Sequence, residues 1–297
     1  MGTKSIIERS DVQPSPQDDL RARLRGMWAA VAPGWGEHAA YAAARGAEAA
    51  EAMLALTRPQ PGERVLELAC GPGGLGLAAA ERVAPGGEAV LSDVVSEMTS
   101  IAAARASELG LHNVTTKELD LEQIDEPDAS YDVVLCREGL MFVPDPARAA
   151  REINRVLRPG GRFAVAVCGP RDLNPWLGVV FDAVSAQIGT PVPPPGVPGP
   201  FSLADSDRLG RLFSDAGLTD VVVSDLSVPL RAGSFGEWWE RTCALAGPLA
   251  KMLASLSEEA KQAIRDRARD AIRAYETPTG LELPGVTLLA SGRHAEG

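Results

Sequence analysis

Histidine and cysteine are both scarce in this chain, with three of the former and four of the latter among 297 residues. His38, His112 and His294 are far apart, and Cys70, Cys136, Cys168 and Cys243 form no C-x-x-C pair or other metal-ligand spacing. That spacing argues against a metal centre and a disulfide framework. The thiols read as reduced, small apolar filler in a cytoplasmic protein. No apolar run approaches the roughly 20 residues that cross a bilayer, so stable membrane insertion is not expected. The polar segment 1–19, with Pro14 and Pro16, has no apolar signal stretch and reads as a disordered lead-in. Positive charge is also short, 29 Lys and Arg against 40 Asp and Glu for a net charge of -11. That balance argues against a nucleic-acid partner, whose phosphates demand a basic surface. The one basic stripe, Arg148, Arg151, Arg155 and Arg158, falls on one helical face, carries Glu152 within it, and reads as a solvated outer face. No internal repeat is present.

Against these absences stands one dense stretch, Val65-Leu66-Glu67-Leu68-Ala69-Cys70-Gly71-Pro72-Gly73-Gly74. Val65 to Leu68 reads as a buried strand, and the glycines allow a tight turn into an Ala-rich helix with no Cβ between backbone and ligand. Asp93 closes the next apolar run, where a carboxylate can accept hydrogen bonds from both hydroxyls of a ribose. These parts together bind a nucleoside-containing cofactor. Gly71, Gly73 and Gly76 also satisfy G-x-G-x-x-G, with Asp93 about twenty residues on, as in dinucleotide sites. Glu67 weighs against that reading, because a carboxylate before the loop repels a pyrophosphate but suits an ammonium group. No Tyr-x-x-x-Lys pair follows the fourth strand either.

Strand and helix patterns alternate through the middle of the chain. Strands are expected at 64–68, 89–92, 114–118, 131–136 and 163–167, and helices at 75–83, 96–109 and 146–156. Such alternation implies βαβ units and a doubly wound α/β sheet. A helical segment at 20–57, broken at Pro33-Gly34, precedes it. After it come a helix at 175–188, a stiff Pro-rich run at 191–200, a helix at 204–216 capped by Ser202, and a strand at 221–228. A long helical stretch at 234–275 and a last strand at 286–291 complete the pattern.

The ordered set of the glycine loop, Asp93, Asp120-Leu121, Tyr131-Asp132-Val133-Val134-Leu135, Val143-Pro144-Asp145-Pro146 and Arg158-Pro159-Gly160-Gly161 resembles the class I S-adenosylmethionine-dependent methyltransferases. The likeness is greatest to the ubiquinone/menaquinone methyltransferase branch and covers about Trp28 to Val167. The resemblance implies a Rossmann-like methyltransferase sheet with a helical N-terminal lid and helical cap insertions. The divisions are then 1–19 lead-in, 20–57 lid, 58–170 cofactor-binding core, 171–201 insertion, 202–233 core continued, 234–278 cap, and 279–297 last core strand and tail. It implies transfer of a methyl group from S-adenosyl-L-methionine to a small acceptor, leaving S-adenosyl-L-homocysteine. An NAD(P)-dependent oxidoreductase, or a methyltransferase-like protein that binds cofactor without chemistry, is the alternative.

Cofactor contacts are expected from Glu67, Ala69, Gly71, Gly73, Asp93, Val94, Met98, Asp120, Leu121 and Arg137. Glu67 orients the ammonium, Asp93 takes the ribose, Val94 and Met98 flank the adenine, and Asp120 with the Leu121 amide meets its edge. The insertions are rich in apolar and aromatic residues, pointing to a small, largely apolar acceptor of aromatic or quinol type. Trp28, Trp35, Met141, Phe142, Trp176 and Trp238 are its expected pocket residues. Each aromatic has an equal claim to a purely packing role. His38, by elimination among the histidines, is one general-base candidate, with a plain surface helix histidine as its equal alternative. Glu138 is the other, with Arg137-Glu138 serving either as a salt bridge to the N-terminal segment or to place a carboxylate beside the methyl group. The oligomeric state is open.

Overall fold

The computed structural model describes residues 16–296. It opens with helices α1 (Pro16–Glu37), α2 (Ala39–Arg45) and α3 (Ala47–Thr57). Pro16 occupies the first turn of α1, where its missing N–H costs nothing, and Asp18 and Asp19 complement the helix dipole. The expected lead-in therefore ends before residue 16, and its remainder lies outside the described residues. The expected break at Pro33 is also absent. Pro33 is exposed, and buried Val31 and Ala32 just before it pack the helix in place, so that the helix continues to Glu37.

The core follows as β1 (Arg64–Leu68), α4 (Gly74–Val83), β2 (Glu88–Asp93), α5 (Ser96–Glu108), β3 (Val114–Glu118), β4 (Tyr131–Arg137), α6 (Pro146–Val156) and β5 (Leu157–Cys168). Asp145 caps α6 by accepting the Arg148 amide at 2.9 Å, with Pro146 in the first turn. Then come α7 (Pro175–Ile188), α8 (Ser206–Asp215), β6 (Leu218–Ser227), β7 (Leu230–Ala232), α9 (Phe235–Leu245), α10 (Pro248–Ala254), α11 (Glu258–Ile272), β8 (Glu276–Thr277), β9 (Gly280–Leu283) and β10 (Val286–His294).

Seven strands form one sheet in the order β3-β2-β1-β4-β5-β10-β6. Its first five strands are parallel, and β10 runs antiparallel to both β5 and β6. Burial on both faces along β1 and β4, apolar except at Glu67, is what a strand covered on both sides shows. Winding reverses between β1 and β4, so the loops leaving their carboxyl ends diverge and open a crevice there.

Three expectations about the second half change. Asp205, not Ser202, caps α8, accepting the Arg208 amide at 2.7 Å, while the Ser202 hydroxyl donates to the Met141 carbonyl at 2.6 Å. The expected helical stretch at 234–275 is divided into three helices. The turn at Gly247, whose φ is 54°, separates α9 from α10, and Ser257 caps a new start for α11. Finally, β7, β9 and β8 make a separate antiparallel sheet, so 280–283 belongs to the cap rather than to the last core strand. Leu177, Val180 and Phe181 of α7 pack with Trp238, Ile264, Ile272, Leu281 and Leu283 in a second hydrophobic core. The two insertions are thus one cap, joined through α7 and α11.

Two members of the expected basic stripe, Arg155 near the end of α6 and Arg158 at the start of β5, are consumed internally. Arg155 binds Glu152, Asp128 and the carbonyls of Ile124 and Glu126, and Arg158 binds Asp132. Among the described residues no helix is long and apolar enough to cross a membrane.

Candidate cofactor and acceptor site

A cavity lies over the carboxyl ends of the parallel strands, roofed by α1 and α2 and walled on one side by α7 and α9 of the cap. The chain enters it from β1 with Ala69 and Gly71 both at φ 51° and Gly73 at φ 83°. A Cβ on Gly71 would meet nothing within 4 Å, so only its backbone conformation requires glycine there. At Gly73 a Cβ would press to 2.9 Å from Leu91, and this tight seat starts α4.

Asp93 ends β2 with its carboxylate on the same cavity. Oδ2 accepts the Gly71 amide at 3.0 Å and Oδ1 the Val95 amide at 3.1 Å, so glycine loop and carboxylate form one rigid unit. Burial holds the Asp93 carboxyl up at about 6, although those amide hydrogen bonds pull the other way. Val94, Met98, Asp120 and Leu121 line the cavity beside it. Asp120 Oδ1 accepts the Glu122 amide at 2.8 Å, which fixes the loop after β3.

Glu67 is placed differently from the other expected cofactor residues. Its carboxyl is almost fully buried below the loop, accepts the Gly76 amide at 2.8 Å, and does not line the cavity. Burial raises it to about 8, with Arg137 the largest opposing influence. Arg137 does reach the cavity, and its guanidinium threads past Gly46 and Gly74. A Cβ at Gly46 would fall 1.2 Å from its Nη1, so glycine at 46 is the condition for this path. Arg137 has no hydrogen bond or ion pair among the described residues.

Trp28, Trp35, Met141, Phe142 and Trp176 all line the cavity. Trp28 meets Phe142 edge-on at 4.9 Å between centroids and Trp35 at 6.4 Å. Trp35 Nε1 is buried with no partner among the described residues, an orphaned donor of the kind a ligand satisfies. Trp238 is a correction. It is 1% exposed within the cap core, donates to the Trp176 carbonyl at 3.1 Å, and does not line the cavity. Its indole N–H holds Trp176 instead of meeting an acceptor.

His38 is a second correction, since it sits at the α1–α2 junction away from the cavity lining. Elimination among histidines had no means of locating it. Glu138 does line the cavity, in the left-handed region at φ 59°, its amide tied to the Ala166 carbonyl at 2.8 Å. Three cysteines are buried, and burial pushes Cys136 up to about 12, which leaves it inert as a nucleophile.

Several cavity residues carried no sequence signal. Arg45 looks like any arginine ending a short helix, and Tyr41, Arg241 and Thr242 come from elements far from the motifs. Arg21 and Glu122 meet across 101 positions.

A glycine loop tied to a carboxylate at the end of β2, on the wall of a crevice over the parallel strands, suits a nucleoside-containing cofactor on an α/β sheet. Residues 59–216, more than half of the chain, match the methyltransferase-domain family, and the chain belongs to it. The dinucleotide reading of Gly71, Gly73 and Gly76 falls away with that membership. Over 145 residues the chain is 34% identical to nocamycin O-methyltransferase of Saccharothrix syringae, covering 46% of this chain and 52% of that protein. Over 133 residues it is 37% identical to the ubiquinone/menaquinone biosynthesis C-methyltransferase of Ectopseudomonas mendocina, with 44% and 52% covered. The chain spans about half the length of these curated relatives. Its fold matches the YcgJ protein of Bacillus subtilis with a TM-score of 0.57 at 21% identity, over 84% of this chain and 99% of that one.

Proposed function

We propose that the protein transfers a methyl group from S-adenosyl-L-methionine to a small, largely apolar acceptor of aromatic or quinol type by in-line displacement. The observation that carries this reading is the joint unit of Gly71 and Asp93 on the wall of a cavity that also holds an aromatic cluster. One part suits a nucleoside and the other an apolar ring, side by side. When bound, the cofactor supplies an electrophilic methyl on a sulfonium, whose leaving group is a neutral thioether.

Asp93 takes the ribose hydroxyls, and Val94 and Met98 sandwich the adenine while Asp120 and Leu121 read its edge. Arg137 holds the amino-acid carboxylate, for which its unpaired guanidinium beside the start of α4 is suited. Trp28, Trp35 and Phe142 exclude water and seat the acceptor. Holding nucleophile, methyl carbon and sulfur in line supplies up to about 7–11 kcal/mol of barrier reduction. Together these residues would hold S-adenosyl-L-methionine so that its methyl carbon passes to the acceptor and the carbon–sulfur electron pair stays on sulfur. For a hydroxyl acceptor the departing proton goes to the Glu138 carboxylate. The buried thiols suit a reducing compartment, and the cytoplasm is the proposed location, with no nucleic-acid partner.

Calorimetric titration of the full chain with S-adenosyl-L-homocysteine, NADH and NADPH tests the reading. Micromolar binding of the first alone, lost in Asp93→Ala, is expected. Preference for a nicotinamide cofactor overturns it.

A further inference from the structure

Arg45 is the cavity residue whose surroundings are least complete. Its guanidinium carbon lies 3.9 Å from the centroid of the Trp176 ring, on the side where the cap meets the cavity. Its Nε is buried and has no hydrogen-bond partner, and the side chain makes no ion pair among the described residues. Other arginines lining the same space are neutralised: Arg21 by Glu122, Arg25 by Glu118 and Arg241 by Glu237. Arg137 shares the unpaired state but passes Gly74 at the start of the cofactor loop helix, whereas Arg45 stands against α7 of the cap.

A guanidinium stacked on an indole has one face covered, and its N–H groups radiate in the plane of the group. Leaving such a donor buried and unpaired is costly, more so for a charged group. A planar pair of anionic oxygens entering edge-on relieves that cost with two parallel hydrogen bonds. A neutral hydroxyl offers only one, weaker acceptor and leaves the charge uncompensated, and a hydrocarbon offers none. Glu138 is one of the carboxylates that line the cavity. It and Arg45 act on the buried Cys168 thiol in opposite senses, yet they do not pair with each other. The positive group is therefore free for a ligand, and Glu138 is free for a second, protic group on the same ligand.

We propose that Arg45, backed by Trp176, is a specificity residue that binds a carboxylate on the methyl acceptor, so that the acceptor class is an aromatic acid rather than a neutral aromatic. The proposal rests on the methyltransferase reading above and refines its acceptor. The apolar cluster of Trp28, Trp35 and Phe142 takes the ring, and Arg45 takes the charge at the cap end.

The test uses the full chain saturated with S-adenosyl-L-homocysteine. It is titrated by calorimetry with matched acid and amide probes: 2-hydroxybenzoate and its amide, 1-hydroxy-2-naphthoate and its amide, and indole-3-carboxylate and its amide. At least one acid is expected to bind ten times or more tightly than its amide. Arg45→Met should abolish that preference, and Arg45→Lys, which keeps charge but loses the planar fork, should reduce it. Homocysteine-product affinity should be equal in all three proteins, which also shows that the variants fold. If no acid outbinds its amide, or if Arg45→Met or Arg45→Lys retains the full preference, the assignment is overturned. Failure of wild type to bind S-adenosyl-L-homocysteine is a different result, and it removes the methyltransferase reading itself.

Discussion

Arg21 of α1 grips Glu122 with two hydrogen bonds, Nε to Oε2 at 2.8 Å and Nη2 to Oε1 at 2.9 Å, and so ties the lid to the loop that follows β3. The Glu122 side chain is 2% exposed and also accepts the Asp145 amide at 2.8 Å, so α1 is held on an anchored, buried carboxylate. Arg25 adds a more exposed pair with Glu118 one turn on. Removing one partner of a buried pair costs about 3–5 kcal/mol, and less when the other is partly exposed. Arg21→Ala is therefore expected to loosen the lid without unfolding the core. Stopped-flow tryptophan fluorescence should show S-adenosyl-L-homocysteine leaving about ten times faster, with a melting temperature lowered by several degrees. Unaltered release would mean that the lid does not gate the cofactor.

Asp93 sets a pH limit on cofactor binding. Its carboxyl is raised to about 6 in the free protein by burial, and ribose hydroxyls donate best to the ionised form. Binding thus favours the carboxylate. Affinity is expected to be at its plateau above pH 7 and to weaken as pH falls through 6, by roughly tenfold per pH unit until the bound form also protonates. Asp93→Asn should lose about 10–100-fold in affinity, as expected for hydrogen bonds to a charged group, and should lose the acidic limb. Calorimetry with S-adenosyl-L-homocysteine between pH 5 and 8 checks both. A profile in wild type as flat as in the Asn variant would refute the ribose assignment.

The contrast between Asp93 and Arg45 shows what the sequence made legible. Asp93 closes an apolar strand next to a glycine loop, and both the strand period and the turn chemistry are local, so its position is readable from its neighbours. The elements at 64–68, 114–118, 146–156 and, in the cap, 175–188 have the bounds their patterns imply for the same reason. Arg45, Tyr41 and Arg241 reach the cavity only because α2, α7 and α9 converge, and no local pattern encodes that. The small cap sheet was hidden in the same way. Leu230 to Ala232 is too short to display a period, and its partner Leu281 to Leu283 lies about fifty residues on. Trp238 and Trp176 have the same side chain. Only the packing of α9 under α7 makes one a core anchor and the other a wall of the site.

Gly46 and Arg137 form a pair that can be tested from either side. A methyl at residue 46 would stand 1.2 Å from Arg137 Nη1, and at φ -86° the backbone accepts alanine without strain. Gly46→Ala should therefore keep the fold and displace the end of the Arg137 side chain. Both Gly46→Ala and Arg137→Ala are expected to weaken S-adenosyl-L-homocysteine by about 10–100-fold, the scale of a charge-assisted hydrogen bond. Neither should alter the affinity for methylthioadenosine, which lacks the amino-acid part. Equal losses for both ligands would show that Arg137 shapes the nucleoside end instead.

Glu67 gives a prediction about stability. Its carboxyl stands at about 8 in the folded protein against 4.5 for an ordinary glutamate, chiefly because it is buried. The folded state therefore holds that proton more tightly than the unfolded chain. Its contribution to stability is complete below about pH 4.5 and is lost as pH rises through 8. Glu67→Gln cannot ionise, and its amide oxygen still accepts the Gly76 N–H. Relative to wild type, the variant should gain a few kcal/mol between pH 5 and pH 8.5, since each tenfold difference in proton affinity between folded and unfolded chain is worth about 1.4 kcal/mol. Urea unfolding of both proteins at the two pH values measures this difference. Arg137 favours the ionised form of Glu67, so the same gain should be larger in an Arg137→Ala background. A constant difference between Glu67→Gln and wild type would instead mean that Arg137 keeps Glu67 ionised throughout, and Glu67 would then enter the site as a charge rather than as a neutral cap on α4.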